Sequence, residues 1–216
     1  MYDISYFKAS GDEQVLEFMR AHPFIILCGA DNNKMPVATH IPVLIEKRED
    51  KYFLLAHVMK KQAHTESFRQ NNQVLAIFYG PSTYVSASWY ENKKVASTWN
   101  YQAVHAKGLL RFLDDQGLKE VLTRLTDKFE NNSLSPALVQ KMDNEYLTKM
   151  MQAIVAFEIE LTDVQHVFKL SQNRDERSHA NIIQKLKEKG GDAEIIAKTM
   201  ESDAGTLFGS KEEGRP

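Results

Sequence analysis

Short apolar runs and alternating apolar and polar residues dominate the first half of the chain, a pattern typical of β-strands. Six such segments are rich in β-branched and aromatic residues: FIILCGA, MPVATHIPVLIEK, KYFLLAHV, QVLAIFYG, TYVSASWY and WNYQAVHAKGLLRFL. The stretch MKKQAHTESFRQNN, between the third and fourth segments, contains neither Gly nor Pro and predicts a helical crossover. Because no regular βαβ alternation appears, the segments predict an antiparallel barrel.

Helical spacing of apolar residues predicts the remaining elements. A short helix precedes the first strand, ends at Pro23 and covers DEQVLEFMRAH. Two helices should follow the sixth strand, one in DDQGLKEVLTRLTDKFE and one beginning at Ser135 and Pro136 and running through PALVQKMDNEYLTKMMQ. AIVAFEIELTDVQHVFKL returns to the strand pattern. Asn173 and Glu176 resemble a capping box that opens a helix closed by Gly190, and DAEIIAKTMES predicts a last helix. The fold class is therefore mainly β with helices (α+β).

Composition and charge describe an ordinary globular protein of 216 residues, with 43% hydrophobic and 26% charged residues. A net charge of −2 gives no overall basic footprint for nucleic acid. The single cysteine, Cys28, has no disulfide partner within the chain, as expected of a reducing cytoplasm. No apolar run approaches the roughly 20 residues of a membrane span, and the N-terminus is too polar for a secretory signal. We therefore expect a cytoplasmic protein without a membrane segment.

Two adjacent lysines, Lys60 and Lys61, fall where the third strand ends and the crossover helix begins. Backbone N–H groups and the helix dipole favour an anion at such a position, and two ammonium groups would complete a phosphate site. The alternative is a solvated lysine pair on a loop. The residues alone leave both interpretations open.

The second candidate for ligand binding is the aromatic and amide-rich strand around Trp99. A flat heteroaromatic ring needs an apolar wall and a few polar groups at its edge, and Trp99 beside Thr98 and Asn100 offers both. Packing of these residues in a barrel core is the alternative. The seven histidines show no i, i+4 pair of the kind that lets one helix hold a metal, so no metal site is predicted.

Four stretches, in this order and spacing, resemble the PaiB-type FMN-binding negative transcriptional regulators of bacteria: ATHIPVL, GPSTYVSASWY, STWNYQAVHAKG and FKLSQNRDERSHANII. The resemblance implies an FMN-binding split β-barrel of the pyridoxamine-phosphate-oxidase-like type with added C-terminal helices. It implies a barrel domain over residues 1–172, a helical extension over 173–208 and a flexible tail over 209–216. The resemblance also implies a homodimer with FMN at the subunit interface, and a contact with DNA follows from it alone.

By the same resemblance, the phosphate and ribityl side of FMN would be held by Thr39, His40, His57, Lys60 and Lys61, and the ring side by Thr98, Trp99 and Asn100. Members of the family often carry arginine and asparagine where this chain has MKKQ, so a lysine point charge replaces a planar guanidinium. No catalytic residue is predicted. One alternative function is a flavin-dependent oxidoreductase acting on a small substrate, and another is haem binding through a histidine of a related barrel.

Overall fold

The computed structural model describes residues 1–209 of the chain, so the predicted tail lies outside the described residues apart from Gly209. Within this range there are seven strands: β1 (Phe24–Ala30), β2 (Pro36–Pro42), β3 (Leu44–Arg48), β4 (Lys51–Met59), β5 (Gln73–Val85), β6 (Thr98–Phe112) and β7 (Ile154–Lys169). The same range contains six α-helices: α1 (Asp12–Ala21), α2 (Ala63–Gln70), α3 (Asp115–Glu130), α4 (Asn144–Ala153), α5 (Glu176–Lys189) and α6 (Asp192–Phe208).

The strands form one antiparallel sheet in the order β2-β1-β5-β6-β7-β4-β3. β1 with β2 and β3 with β4 are hairpins, with Cys28 opposite Ala38 in the first and Glu46 opposite Phe53 in the second. The long-range pairs place β5 beside β1 and β7 beside β4. This arrangement confirms the predicted antiparallel α+β class, and the helical crossover is α2.

Proline positions explain two differences from the predicted strands. MPVATHIPVLIEK forms two strands, because Pro42 has no N–H to continue the ladder and the next amide, of Val43, donates to the carbonyl of Pro23 at 2.8 Å. QVLAIFYG, in contrast, continues into the first three residues of TYVSASWY as the single strand β5, which ends at Val85, and the remainder of that predicted strand forms a 3₁₀ turn at Ala87–Trp89. Pro81 is tolerated within β5 because the β1–β5 ladder covers only Leu75 to Ile77. The N–H group that proline lacks is therefore not needed for pairing with β1.

The predicted start of the fourth helix at Pro136 is wrong, because α4 begins at Asn144. Ser135 holds a local turn, with its hydroxyl donating to Glu130 at 2.7 Å and accepting from the amide of Ala137 at 3.1 Å. A 3₁₀ turn follows at Val139–Lys141, and α4 begins only after Asp143, whose carboxylate accepts from the Tyr146 amide at 2.9 Å. Burial of residues before this cap outweighs the local helix signal.

The start of α5 also differs from the prediction, because its N-cap is Asp175 rather than Asn173. The Asp175 carboxylate accepts from the backbone amide of Ser178 at 2.9 Å and from its hydroxyl at 2.7 Å. Gly190, at a φ of 70°, ends α5 as predicted. α6 continues to Phe208, beyond the predicted DAEIIAKTMES.

The chain divides into two compact units. The central unit contains Leu16–Phe78 and His105–Gln165, and its core includes a cluster in which α3 packs on β4 through Leu55, Leu118, Val121 and Leu125. The terminal unit contains Met1–Val15, Tyr79–Val104 and, of the described residues that follow, 166–209. Its main cluster packs α5 and α6 around Val85, Tyr90, Ile182, Leu186, Ile196 and Met200.

Candidate functional site

In the central unit, the end of β4 and the start of α2 bring three predicted ligand-binding residues, His57, Lys60 and Lys61, into one short segment. The Lys60 amide donates to Ala153 O at 2.8 Å and its Nζ lies 3.4 Å from Met151 O, while Lys61 is exposed. Gln62 at the N-cap of α2 makes no side-chain capping hydrogen bond. The first amides of α2 therefore remain available to an anion beside two ammonium groups.

His57 carries a polar atom that the described residues leave without a partner. The residue lies on β4 opposite Ala156, and its Nδ1 is buried with no hydrogen bond to any described residue. Burial lowers the pKa of His57, so the imidazole is neutral at pH 7. A buried polar nitrogen without a partner is costly, and a ligand atom could satisfy it.

Thr39 and His40 lie on β2, opposite Leu27 and Ile26 of β1. His40 is exposed, with its ring centroid 6.3 Å from that of Phe24, and Thr39 is half-buried. Both α2 and β4 contact β2. The elements that carry the five predicted phosphate-side residues are therefore neighbours within the central unit.

The three predicted ring-side residues lie at the start of β6 in the terminal unit. Alternation along the strand places Thr98 and Asn100 on one face and Trp99 on the other. Trp99 is 54% exposed and meets Tyr84 edge to face, with a centroid distance of 6.1 Å. Asn100 is fully buried, and its Oδ1 accepts from Ser171 Oγ at 3.0 Å. Trp99 thus offers an open aromatic face, whereas the Asn100 amide is already engaged inside the unit.

Sequence reasoning did not assign Lys169 to the site, although its side chain contacts the predicted ring-side residue Thr98. Its Nζ donates to Thr98 Oγ1, and the same ammonium lies 5.7 Å from the centroid of the Phe7 ring. Burial, with a smaller contribution from the charge of Arg174, lowers the pKa of Lys169. The KLSQNR motif, quoted for the resemblance, contained the signal, because it places Lys169 at the end of β7 and both Ser171 and Arg174 in the turn that follows.

A charged network in the central unit was also missed. Glu158 on β7 accepts from Arg48 at 2.8 Å and from Arg111 at 2.6 Å, and Arg48 and Arg124 both bind Glu46 at 2.6 Å. The sequence signal is a glutamate within the apolar run AIVAFEIEL. Such a residue is buried only when it is paired.

The residues of the central unit fit the phosphate end of FMN on three observations: the unsatisfied His57 Nδ1, the uncapped start of α2 and the adjacent lysines. Separately, the terminal unit offers an exposed aromatic ring and a hydroxyl. Within residues 1–209 no three His, Cys, Asp or Glu side chains are grouped so that they could hold a metal ion. No helix in the described part of the chain combines the length and apolar character needed to cross a membrane.

Comparison with known proteins agrees with this fit. The family described as "Putative FMN-binding domain" matches residues 1–163. "Protease synthase and sporulation protein PAI 2" of Bacillus subtilis (strain 168) is 35% identical over 202 residues, which is 93% of this chain and 97% of that protein.

Solved structures show the fold. The flavocytochrome Anf3 from Azotobacter vinelandii has a TM-score of 0.56 at 16% identity, covering 83% of this chain and 78% of that one. The "FAD and Heme binding protein" from Mycobacterium smegmatis has a TM-score of 0.55 at 14% identity, covering 74% of this chain and 72% of that one. The predicted split β-barrel is confirmed, as is the predicted cofactor, FMN, at the level of the family. The match over residues 1–163 and the identity to the Bacillus protein establish that this chain belongs to the family of FMN-binding split-barrel proteins.

Proposed function

We propose that this chain is an FMN-binding negative transcriptional regulator of the PaiB type, acting as a cytoplasmic homodimer with FMN at the subunit interface. Family membership supports the cofactor, and the 35% identity to the Bacillus PAI 2 protein over 93% of the chain supports the regulatory role. Bound FMN supplies one-electron and two-electron redox chemistry. The chain's own residues bind and orient it.

The observation that carries the proposal is the group at the β4–α2 junction. An FMN phosphate carries close to two negative charges and several acceptor oxygens, so it needs cations and N–H donors together. Lys60 and Lys61 supply the charge, the first amides of α2 supply donors, and His57 offers an unsatisfied ring nitrogen. Thr39 and His40, on the neighbouring β2, are assigned to the ribityl hydroxyls.

On the ring side the assignment rests on residues of the terminal unit. Trp99 provides an exposed aromatic face for stacking, and Thr98 provides a hydroxyl whose position Lys169 fixes. Asn100 acts as a positioning residue, because its bond to Ser171 holds the start of β6.

A fluorescence and absorbance titration with FMN tests the phosphate assignment, with riboflavin as the ligand that lacks the phosphate. Charge-assisted contacts are worth about 1.5–3 kcal/mol each, so the Lys60→Ala, Lys61→Ala double variant, which loses two of them, should bind FMN at least about 100-fold more weakly. Its riboflavin affinity should stay that of the wild type. The adjacent pair Lys93 and Lys94 is the matched control, because its double alanine variant removes the same charge elsewhere.

Two outcomes contradict the cofactor proposal: wild-type protein that does not bind FMN saturably, and equal FMN affinity in the wild type and the Lys60, Lys61 variant.

Light scattering after size exclusion, with and without FMN, tests the homodimer. A gel-shift experiment at low salt tests the regulatory role, comparing the native upstream region with random DNA of equal length. Since the net charge is −2, non-specific attraction is weak, and equal binding to both DNAs would remove the regulatory assignment.

A further inference from the structure

The terminal unit contains a cavity of about 300 Å³ that none of the residues assigned to FMN lines. It lies among the N-terminal segment, the end of β7 and the helices α5 and α6. Its apolar floor consists of Phe168, Leu170 and Met200, each at most 2% exposed. Tyr6, Lys8 and Asp203 also line the cavity, and none of the three is fully buried. The size is at the lower end of the range for small-molecule sites.

The cavity has a negative charge that the described residues do not neutralise. Asp203 is half-buried, and its carboxylate contacts the Ser202 hydroxyl at 3.4 Å but forms no ion pair within residues 1–209. Burial raises the pKa of this carboxyl group, as expected when an anion loses water and gains no cation. Lys8 does not compensate it, because its ammonium pairs with Asp3 at 3.1 Å and lies 3.4 Å from the His166 carbonyl.

A second polar wall is provided by His179 of α5, which is only 2% exposed. Burial lowers the pKa of the His179 imidazole, and a backbone hydrogen bond with Leu170 opposes this shift only in part. The ring is therefore neutral at pH 7, and a neutral imidazole carries one acceptor nitrogen. Gln14, also on the wall, uses its Oε1 to accept from the amide of Ser10 at 2.8 Å. A carboxylate and an imidazole acceptor above an apolar floor suit a ligand with a cationic donor at one end.

We propose that this cavity binds a small primary amine, with its ammonium group on Asp203 and its apolar body on Phe168, Leu170 and Met200. His179 accepts a further hydrogen bond from the ligand. Because α5 and α6 both line the cavity, the bound amine stabilises the position of these two helices. The chain would therefore respond to a second ligand that is separate from FMN. This site does not depend on the FMN assignment, and its test is carried out on both FMN-loaded and FMN-free protein.

Calorimetric titration of the full chain with benzylamine tests the proposal. Benzyl alcohol, which is neutral, and benzoate, which is anionic, have similar size and serve as probes of charge. We expect benzylamine to bind saturably and about 10- to 100-fold more tightly than benzyl alcohol, with no binding of benzoate. Asp203→Asn should reduce benzylamine affinity to that of benzyl alcohol. Glu201→Gln is the matched control, since it removes the same charge from an exposed position on α6 and should leave the affinity unchanged.

A second variant, Leu207→Trp, places a larger side chain on the cavity lining and locates the binding independently of charge. It should abolish benzylamine binding and leave FMN affinity at the wild-type value. The proposal is overturned if benzylamine and benzyl alcohol bind equally, if neither binds, or if the Asp203→Asn variant keeps wild-type affinity. Benzylamine binding that survives in Leu207→Trp would also overturn it, because the ligand would then occupy another site. Should Asp203→Asn fail to fold, the Leu207→Trp variant and the comparison of probes decide the question.

Discussion

Replacing Glu158 by glutamine should destabilise the central unit far more than the same change two residues further along β7. The Glu158 side chain is only 9% exposed and accepts from Arg48 at 2.8 Å and from Arg111 at 2.6 Å. Glu160 pairs with Lys51, but both side chains are open to water, at 38% and 63% exposure. The two substitutions remove the same charge from one strand and differ in burial and in the number of partners.

The size of the expected loss of stability depends on how well water can solvate the two arginines that lose their carboxylate partner. Breaking a fully buried ion pair costs about 3–5 kcal/mol, because the remaining charge has no partner. Arg48 and Arg111 are 39% and 70% exposed, so water partly replaces the lost carboxylate, and glutamine keeps one neutral acceptor. We therefore expect Glu158→Gln to lower the free energy of unfolding by about 2 kcal/mol. Glu160→Gln should remain close to the wild type, as exposed pairs do.

Urea denaturation at several pH values also tests how the stability that Glu158 contributes depends on pH. Burial alone would raise the pKa of Glu158, but the hydrogen bonds from Arg48 and Arg111 outweigh it, so the folded-state pKa lies below 4.5. The stability from this carboxylate is therefore complete above the unfolded value and disappears as pH falls through the folded value. The difference between wild type and Glu158→Gln should be full at pH 7 and shrink below about pH 4.5. Equal losses in the two glutamine variants, or a difference that does not change down to pH 3, would refute the reasoning.

Further substitutions at Gly108, Trp99 and Asn131 probe the backbone and the aromatic strand. Gly108→Ala would place a Cβ 2.5 Å from the Glu160 carbonyl oxygen, so we expect a loss of about 3 kcal/mol in urea denaturation, whereas Gly205→Ala, with no atom within 4 Å, should not destabilise. Trp99→Ala should cost about 1 kcal/mol in the same assay, because the ring is 54% exposed, and should weaken the quenching of flavin fluorescence on binding. Asn131 ends α3 at a φ of 44°, so Asn131→Ala should lower the thermal midpoint and Asn131→Gly should not. A Gly108→Ala protein as stable as Gly205→Ala, or a Trp99→Ala loss near that of a core tryptophan, would contradict the geometry on which these expectations rest.

Local signals were sufficient for the type of nearly every element but not for several boundaries. β1 and β4 form where the sequence has apolar runs rich in strand residues, α2 forms in a stretch without Gly or Pro, and α3 forms where apolar residues recur at helical spacing. The start of α4 was misplaced because Ser135 and Pro136 mimic a helix start, while burial around Leu138 and Val139 and the cap at Asp143 decide where the helix begins. When two residues could each cap a helix, tertiary packing decides which of them does so, and a local sequence pattern carries no information about that packing.

The candidate site shows the same division. Lys60 and Lys61 could be placed at a helix start from sequence, because the strand signal ends before them and the helix signal follows. That His57 Nδ1 has no partner within residues 1–209 and that Asn100 is engaged by Ser171 could not be predicted, since both depend on residues distant in sequence. For the same reason the exposed face of Trp99 could not be distinguished from barrel packing.

By itself the sequence determined the α+β class, the antiparallel sheet, the crossover helix and the resemblance that led to an FMN-binding split barrel. These follow from periodicity, turn residues and motifs, which are properties of short stretches of chain. Only the tertiary structure decided which polar groups are satisfied: among the described residues Glu158 is paired, Asp203 has no ion pair and His57 Nδ1 has no hydrogen-bond partner. The physical reason is that the state of a buried charge depends on what the fold places within a few ångströms of it, and those neighbours come from segments far apart along the chain.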